Sequence, residues 1–241
     1  GTRNPKFAYS RPGTVSDFRN NVIYNWGYQS SIAGGKDNRI NIVNNFYKYG
    51  PGRDPNDPLC HKIVGVVDGS NLFVAGNYVW GFPKVTADNW AGGVQGDTCV
   101  RADKPFTAVP VTMQSAQEAY ELVLAHAGAT MPKRDPIDER VVNQVRTRTY
   151  TFSGMKNGVK YPGIPDSMEQ VGPYPELQSA PAPVDTDRDG MPDEWEKTMR
   201  LDPNDPQDRN KYGLHSDYTN LEVYLNSLAS NPYQVIKAAG K

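Results

Sequence analysis

Residues 185–196, DTDRDGMPDEWE, space their carboxylates as a hard cation requires. Asp185, Asp187, Asp189, Gly190 and Glu196 fall at positions 1, 3, 5, 6 and 12 of the pattern D-x-[DN]-x-[DN]-G-x5-E. In that pattern alternating carboxylates wrap a calcium ion, the glycine makes a sharp turn, and the last glutamate closes the shell with both oxygens. Met191 stands at position 7, where a backbone carbonyl contributes, and Asp193 stands at position 9. The spacing therefore predicts Ca2+ held by Asp185, Asp187, Asp189, Met191, Asp193 and Glu196. A solvated acidic turn is the plainer alternative, but it does not call for five matched positions. In the following EWEKTMRL, Trp195, Met199 and Leu201 recur near helical spacing, so a helix leaves the loop; the preceding QSAPAPV cannot form an entering one. This is half of an EF-hand, and its ion would organise a segment with little core of its own. Glu222, in YTNLEVYLNSL, is either a further ligand or a solvated helix residue.

The rest of the chain must supply the framework. Its 241 residues suffice for a substantial core or two small domains. Hydrophobic residues make up only 37%, with 22 Gly and 20 Pro, a composition of short strands and many turns rather than long helices. The net charge of −1 conceals a split: residues 1–62 carry nine Lys/Arg against four Asp/Glu, whereas residues 185–222 carry five against eleven. A basic front could meet an anionic ligand and an acidic tail a cation. The basic residues do not run together and no nucleic-acid-binding motif is present, so nucleic acid is not an expected partner. No apolar run is long enough to span a membrane. Cys60 and Cys99 are either a disulfide of an exported protein or two buried thiols; a calcium loop of the extracellular type favours the bridge and a secreted, cell-surface or periplasmic location.

Three segments look alike: NVIYNWG from Asn21, NFYKYG from Asn45 and NYVWG from Asn77, each an asparagine, then aromatic or β-branched residues, then glycine. Strand-and-turn units recurring at 24 and 32 residues suggest a parallel β-helix, in which each coil stacks on the last. The asparagines would form a ladder of side-chain amides inside the turns; a β-sandwich is the alternative. YGPGRDPNDP, in the longer interval, is expected to project as a loop, and HKIVGVV to add a strand. Two helices follow. SAQEAYELVLAHAGAT opens on a Ser115/Glu118 capping box and stops at Gly128, and RDPIDERVVNQVR is capped by Asp135 with Val141, Val142 and Val145 as packing residues. The expected division is β-helix coils over 1–112, covering helices over 113–150, a Pro-rich linker or strap over 151–184 and a calcium-binding tail over 185–231.

RNNVIYNWG, NYVWGFPKVTADNWAGGVQ, the QSAQEAYELVLAHAGATMPKRDPIDERVVNQVRT stretch and DTDRDGMPDEWE with YTNLEVYLNSL, taken in order, resemble the C-terminal part of secreted bacterial pectate lyases of polysaccharide lyase family 1. The tail itself resembles the calcium repeats of dockerin and thrombospondin type 3 modules. The lyase resemblance implies an all-β-dominated, right-handed parallel β-helix and cleavage of α-1,4-galacturonan by calcium-dependent β-elimination, with polygalacturonate or pectin as partner. In these lyases an R-x-P motif carries the arginine that takes the proton from C5 of the uronate; RNP places Arg3 and Pro5 there. That proton, α to a carboxylate, becomes removable only when a cation neutralises the developing charge. An arginine base further needs a strongly positive, water-poor site. Ala8 stands where the family often has another basic residue, so Lys6 and Arg11 are the candidates for substrate binding. The family's catalytic calcium ligands lie upstream of the R-x-P strand, and Asp17 and Asp37 are too isolated to replace them. The resemblance thus implies the C-terminal part of a lyase, weak or inactive without its upstream half, and a scaffolding role for the ion at residues 185–196. A noncatalytic β-helix that binds acidic polysaccharide is the alternative reading.

Overall fold

The computed structural model describes residues 3–7, 13–67, 69–128, 130, 133–176 and 179–228. The chain divides into two compact units, with the boundary between Pro175 and Glu176.

The first unit is a stack of parallel coils. β1 (Lys6–Phe7), β2 (Val15–Arg19) and β3 (Val22–Tyr24) make the first, β4 (Ile32–Ala33), β5 (Arg39–Val43) and β6 (Phe46–Lys48) the second, and β7 (Val64–Val66), β8 (Asn71–Ala75) and β9 (Tyr78–Val79) the third. β10 (Val94–Gln95) and β11 (Val100–Arg101) begin a fourth. Each strand pairs in parallel with the strand three elements later, giving sheets ordered β1-β4-β7-β10, β2-β5-β8-β11 and β3-β6-β9. Every inward side chain therefore lands on its counterpart in the next coil. Phe18, Ile42 and Val74 form one such column and Ile23, Tyr47 and Val79 another. With Trp26, Ile40, Ile63, Val64 and Leu72, nearly all without solvent contact, they build one continuous core. The arrangement is the parallel β-helix expected from the repeated segments.

The three look-alike segments stack in register, Val22 on Phe46 on Tyr78, and their asparagines form the expected ladder. The Asn45 Oδ1 accepts from the backbone N–H and the amide of Asn21, Asn77 repeats this for Asn45, and Asn89 repeats it for Asn77, all at 2.9–3.0 Å. Asn89 was not among the repeats because a short helix, α1 (Pro83–Ala87), delivers it only 12 residues after Asn77. The three later rungs are buried, so each amide satisfies groups that water cannot reach.

Two helices follow, α2 (Ala116–His126) and α3 (Pro136–Thr147), opened by the Ser115/Glu118 capping box and by Asp135, as their sequences predict. In α2 Tyr120 stacks on Phe46 of β6 at 4.2 Å. Lys48, also buried, donates to the Tyr120 hydroxyl and to the carbonyl of Arg146 in α3. Of the three valines expected to pack α3, Val145 is buried while Val141 is 46% exposed.

Three expectations need to be qualified or corrected. The loop at 49–58 is exposed at Asp54, Pro55 and Asn56, but its base is tied down: Arg53 turns back to donate to the carbonyls of Trp26, Gly27 and Tyr28 and pairs with Asp57. The stretch read as a linker holds an antiparallel hairpin, β12 (Ser153–Lys156) and β13 (Val159–Pro162), turned by Asn157 and Gly158, both at positive φ. Cys60 and Cys99 are free thiols, each donating to a carbonyl of its own loop, Asp54 and Gly96 respectively, so no bridge joins them.

In the second unit the acidic loop runs into α4 (Asp193–Met199), and α5 (Asn220–Leu228) follows a 3-10 turn at Asp208–Asn210. Trp195 of α4 packs against Tyr224 of α5 with ring centres 5.0 Å apart. No helix among the described residues is long and apolar enough to cross a membrane.

Candidate functional site

The acidic loop folds on its own carboxylates. Asp185 accepts from the N–H groups of Asp189 and Gly190, Asp187 from Asp189, and Asp189 from Met191, at 2.8–3.3 Å. Gly190 sits at φ +100°, a conformation that disfavours any side chain, which explains the glycine at the centre of the pattern. The turn brings oxygens of Asp185, Asp187 and Asp189 within 4.8 Å of one another.

A second group shares Asp189. Oxygens of Asp189, Glu196 and Asp208 also lie within 4.8 Å of one another, and these residues are only 1%, 0% and 4% exposed. Within the two groups, Asp187 Oδ2, Asp189 Oδ2, both oxygens of Glu196 and Asp208 Oδ1 are buried without a hydrogen-bond donor. No Lys or Arg among the described residues forms an ion pair with any of them. Burying one carboxylate without a counter-charge is strongly unfavourable, and several converging ones more so. Burial, and then the charges of Asp189, Asp187, Asp208 and Asp193, push the Glu196 carboxyl up to about 7. Burial likewise raises Asp187 and Asp189. Unpaired, converging, dehydrated carboxylate oxygens fit a hard divalent cation such as calcium.

Of the residues expected from the spacing, Asp185, Asp187, Asp189 and Glu196 are brought together. Met191 is fully buried and donates its N–H to Asp189. Asp193 does something else: its two oxygens accept from the N–H and hydroxyl of Thr186 at 2.7 Å, which hold its carboxyl below the usual range and pin the start of the loop to α4. Glu222 accepts from the N–H and hydroxyl of Thr219 and so caps α5 rather than joining the cluster. Asp208 lies outside the 12-residue pattern, and nothing in its local sequence, DPNDPQD, singles it out from its neighbours.

The basic front is a second candidate. Arg3 and Lys6 are exposed, and Arg11 lies outside the described residues. In β1 Lys6 points out and Phe7 inward, where Phe7 meets Phe18 edge to face. The RNP segment is tied to the second coil through Arg3 N–H to Gln29, Asn4 N–H to Ser30 and Ile32 N–H to the Pro5 carbonyl. Arg3 itself holds φ +69°, rare for a side chain of its size. Much of the positive charge of residues 1–62 is spent internally: Arg19 pairs with Asp17, while Lys48 and Arg53 bond within the fold. The front is therefore less basic at its surface than in its composition. Both acidic groups able to hold a metal among the described residues lie after Val184.

The chain is similar to fungal proteins named probable pectate lyase C. It is 33% identical to the Neosartorya fischeri protein over 251 residues, covering 96% of this chain and 51% of that protein. It is 32% identical to the Aspergillus flavus protein and 33% to one from Aspergillus fumigatus, with 96% of this chain and 52% and 51% of theirs covered. The chain thus spans about half the length of the curated relatives it matches. These relatives are fungal, not the bacterial enzymes that the motifs bring to mind. No protein-family model matches the chain, and no solved structure matches it.

Proposed function

We propose that the chain is the C-terminal part of a secreted pectate lyase that cleaves α-1,4-galacturonan by β-elimination. The observation that carries this reading is the similarity to pectate lyase C proteins along 96% of the chain, on a fold of stacked parallel coils. Arg3 would take the C5 proton of the uronate, and elimination of the C4 oxygen would leave an unsaturated sugar. Lys6 and Arg11 would bind the flanking carboxylates, and the rare backbone conformation of Arg3 supports a positioned rather than a casual side chain. Calcium at the substrate would neutralise the uronate carboxylate and lower the barrier to losing that proton. The chain's own acidic groups do not surround Arg3 in sequence, so in this reading an upstream segment supplies those ligands. The right-handed winding and the secreted location belong to the same proposal.

The tail ion is assigned a scaffolding role, held in a dockerin-like half EF-hand by Asp185, Asp187, Asp189, the Met191 carbonyl and Glu196, with Asp193 bracing the loop. The donorless buried oxygens favour this assignment. A second reading, a noncatalytic coil that binds acidic polysaccharide, draws on the exposed basic residues Arg3 and Lys6 of the first coil. Incubation with polygalacturonate separates the two. Unsaturated product absorbs in the ultraviolet, and the lyase reading expects it from the chain carrying its upstream coding sequence and little or none from the 241 residues alone. Tight binding of polygalacturonate without product from either form would favour the second.

A further inference from the structure

We infer that Asp208 is a ligand of the tail's metal ion, so that the site is closed from outside the 12-residue loop. The inference rests on the reading of residues 185–196 as a calcium site and assigns it a residue that the pattern does not contain. Asp208 is 4% exposed, its Oδ1 is buried with no hydrogen-bond donor, and its carboxylate brings an oxygen within 4.8 Å of oxygens of Asp189 and Glu196. Its other oxygen accepts from the N–H of Asp202 at 3.2 Å, which fixes the carboxylate and leaves Oδ1 facing the cluster. A buried carboxylate oxygen with neither a donor nor a cation is costly; Asp205 nearby avoids that cost by pairing with exposed Lys211, and no Lys or Arg among the described residues does the same for Asp208. Asp193, which the spacing places at position 9, has both oxygens committed to Thr186. Asp208 thus supplies the carboxylate that Asp193 does not.

The position of Asp208 gives the ion a second consequence. The Asp208 carbonyl accepts from the side-chain amide of Asn220, the first residue of α5, and the Asn220 N–H donates to Lys211. Asn220 also accepts from the N–H of Leu214 through its side-chain oxygen. Leu221 lies over Gly190, where an added methyl group would meet it at 3.4 Å. An ion gripping Asp208 therefore reaches α5 through one residue. The metal fastens the turn at 202–211 and α5 to the loop, not the loop alone.

Calcium titration of the full chain after chelator treatment, followed by calorimetry, tests this. The wild type should bind calcium, Asp208→Asn should bind at least ~10-fold more weakly, the scale seen even for groups one step removed from a metal, and Asp205→Asn should bind as the wild type does. Asparagine keeps the acceptor for Asp202, so Asp208→Asn removes charge with little change of shape. Equal affinity in Asp208→Asn overturns the inference and leaves the loop site standing; no calcium binding by the wild type overturns both. A measurement without any variant guards against a misfolded mutant. Calcium should slow amide hydrogen exchange in the wild type across 202–211 and α5 as well as across 185–199, and slowing confined to 185–199 contradicts the role of Asp208.

Discussion

Asn77 carries more of the fold than its size suggests. Its side-chain oxygen serves both the backbone N–H and the amide of Asn45, and its own amide donates to the Ile42 and Ala75 carbonyls and to Asn89. Asn77→Ala orphans several of these groups where no water reaches them, and it should destabilise the coil unit by at least ~2 kcal/mol. Asn21→Ala, at the half-buried end of the ladder, should cost clearly less. Urea denaturation of the two variants, followed by fluorescence of buried Trp26, checks the order; equal losses would mean the ladder is not cooperative. The repeat of Asn before each strand made three of these rungs legible in the sequence. Asn89 was not, because a helix brings it into line and its neighbours do not resemble the others. The metal cluster divides the same way. Asp185, Asp187, Asp189 and Glu196 follow from a local pattern, whereas Asp208 arrives through tertiary folding of an acidic stretch in which every aspartate looks alike.

The helices and strands obey local chemistry closely, and the exceptions have physical causes. The Ser115/Glu118 box forms as written: the Ser115 oxygen accepts from the N–H of Glu118, and the Glu118 carboxylate accepts from the N–H and hydroxyl of Ser115. Those bonds lower the Glu118 pKa below its ordinary value of 4.5. A carboxylate depressed on folding adds stability above its unfolded pKa and loses it as pH falls through the folded value. Wild type should therefore melt above Glu118→Ala at pH 7, and the gap should narrow as the pH falls through and below the usual carboxylate range. A gap that does not narrow in acid would show that the charge of the Glu118 carboxylate is not its source, and helix propensity, which favours alanine, would not explain it either. The β12–β13 hairpin was legible in Asn157-Gly158, a strong turn pair, but the surrounding prolines masked it. The anchoring of the loop at 49–58 was not legible, because polar composition does not reveal that one arginine will bond three carbonyls of the preceding coil.

At the scale of the molecule the two units answer to different forces. Stacked apolar columns hold the coils, and the tail has converging carboxylates in place of a core. Chelation should accordingly raise protease cleavage after Val184 and leave the coil unit resistant, since an ion bound only by the folded tail stabilises that tail alone. Equal cleavage of the tail with calcium and with chelator would remove the ion from its architecture. The composition anticipated short strands and turns, and the periodicity anticipated the coil. What neither could reveal is which basic residues stay free at the surface, because Arg19 is engaged by Asp17 of its own strand, Lys48 by the two covering helices and Arg53 by the preceding coil.

If Arg3 takes the C5 proton as proposed, the initial rate of unsaturated product formation from polygalacturonate, measured in calcium on the chain carrying its upstream coding sequence, must depend on it. Arg3→Ala should lower that rate by at least ~100-fold, the usual minimum for a lost proton-transfer group, while binding of polygalacturonate and the melting temperature stay near those of the parent. An Arg3→Ala form that eliminates as fast as the parent would rule Arg3 out as the base.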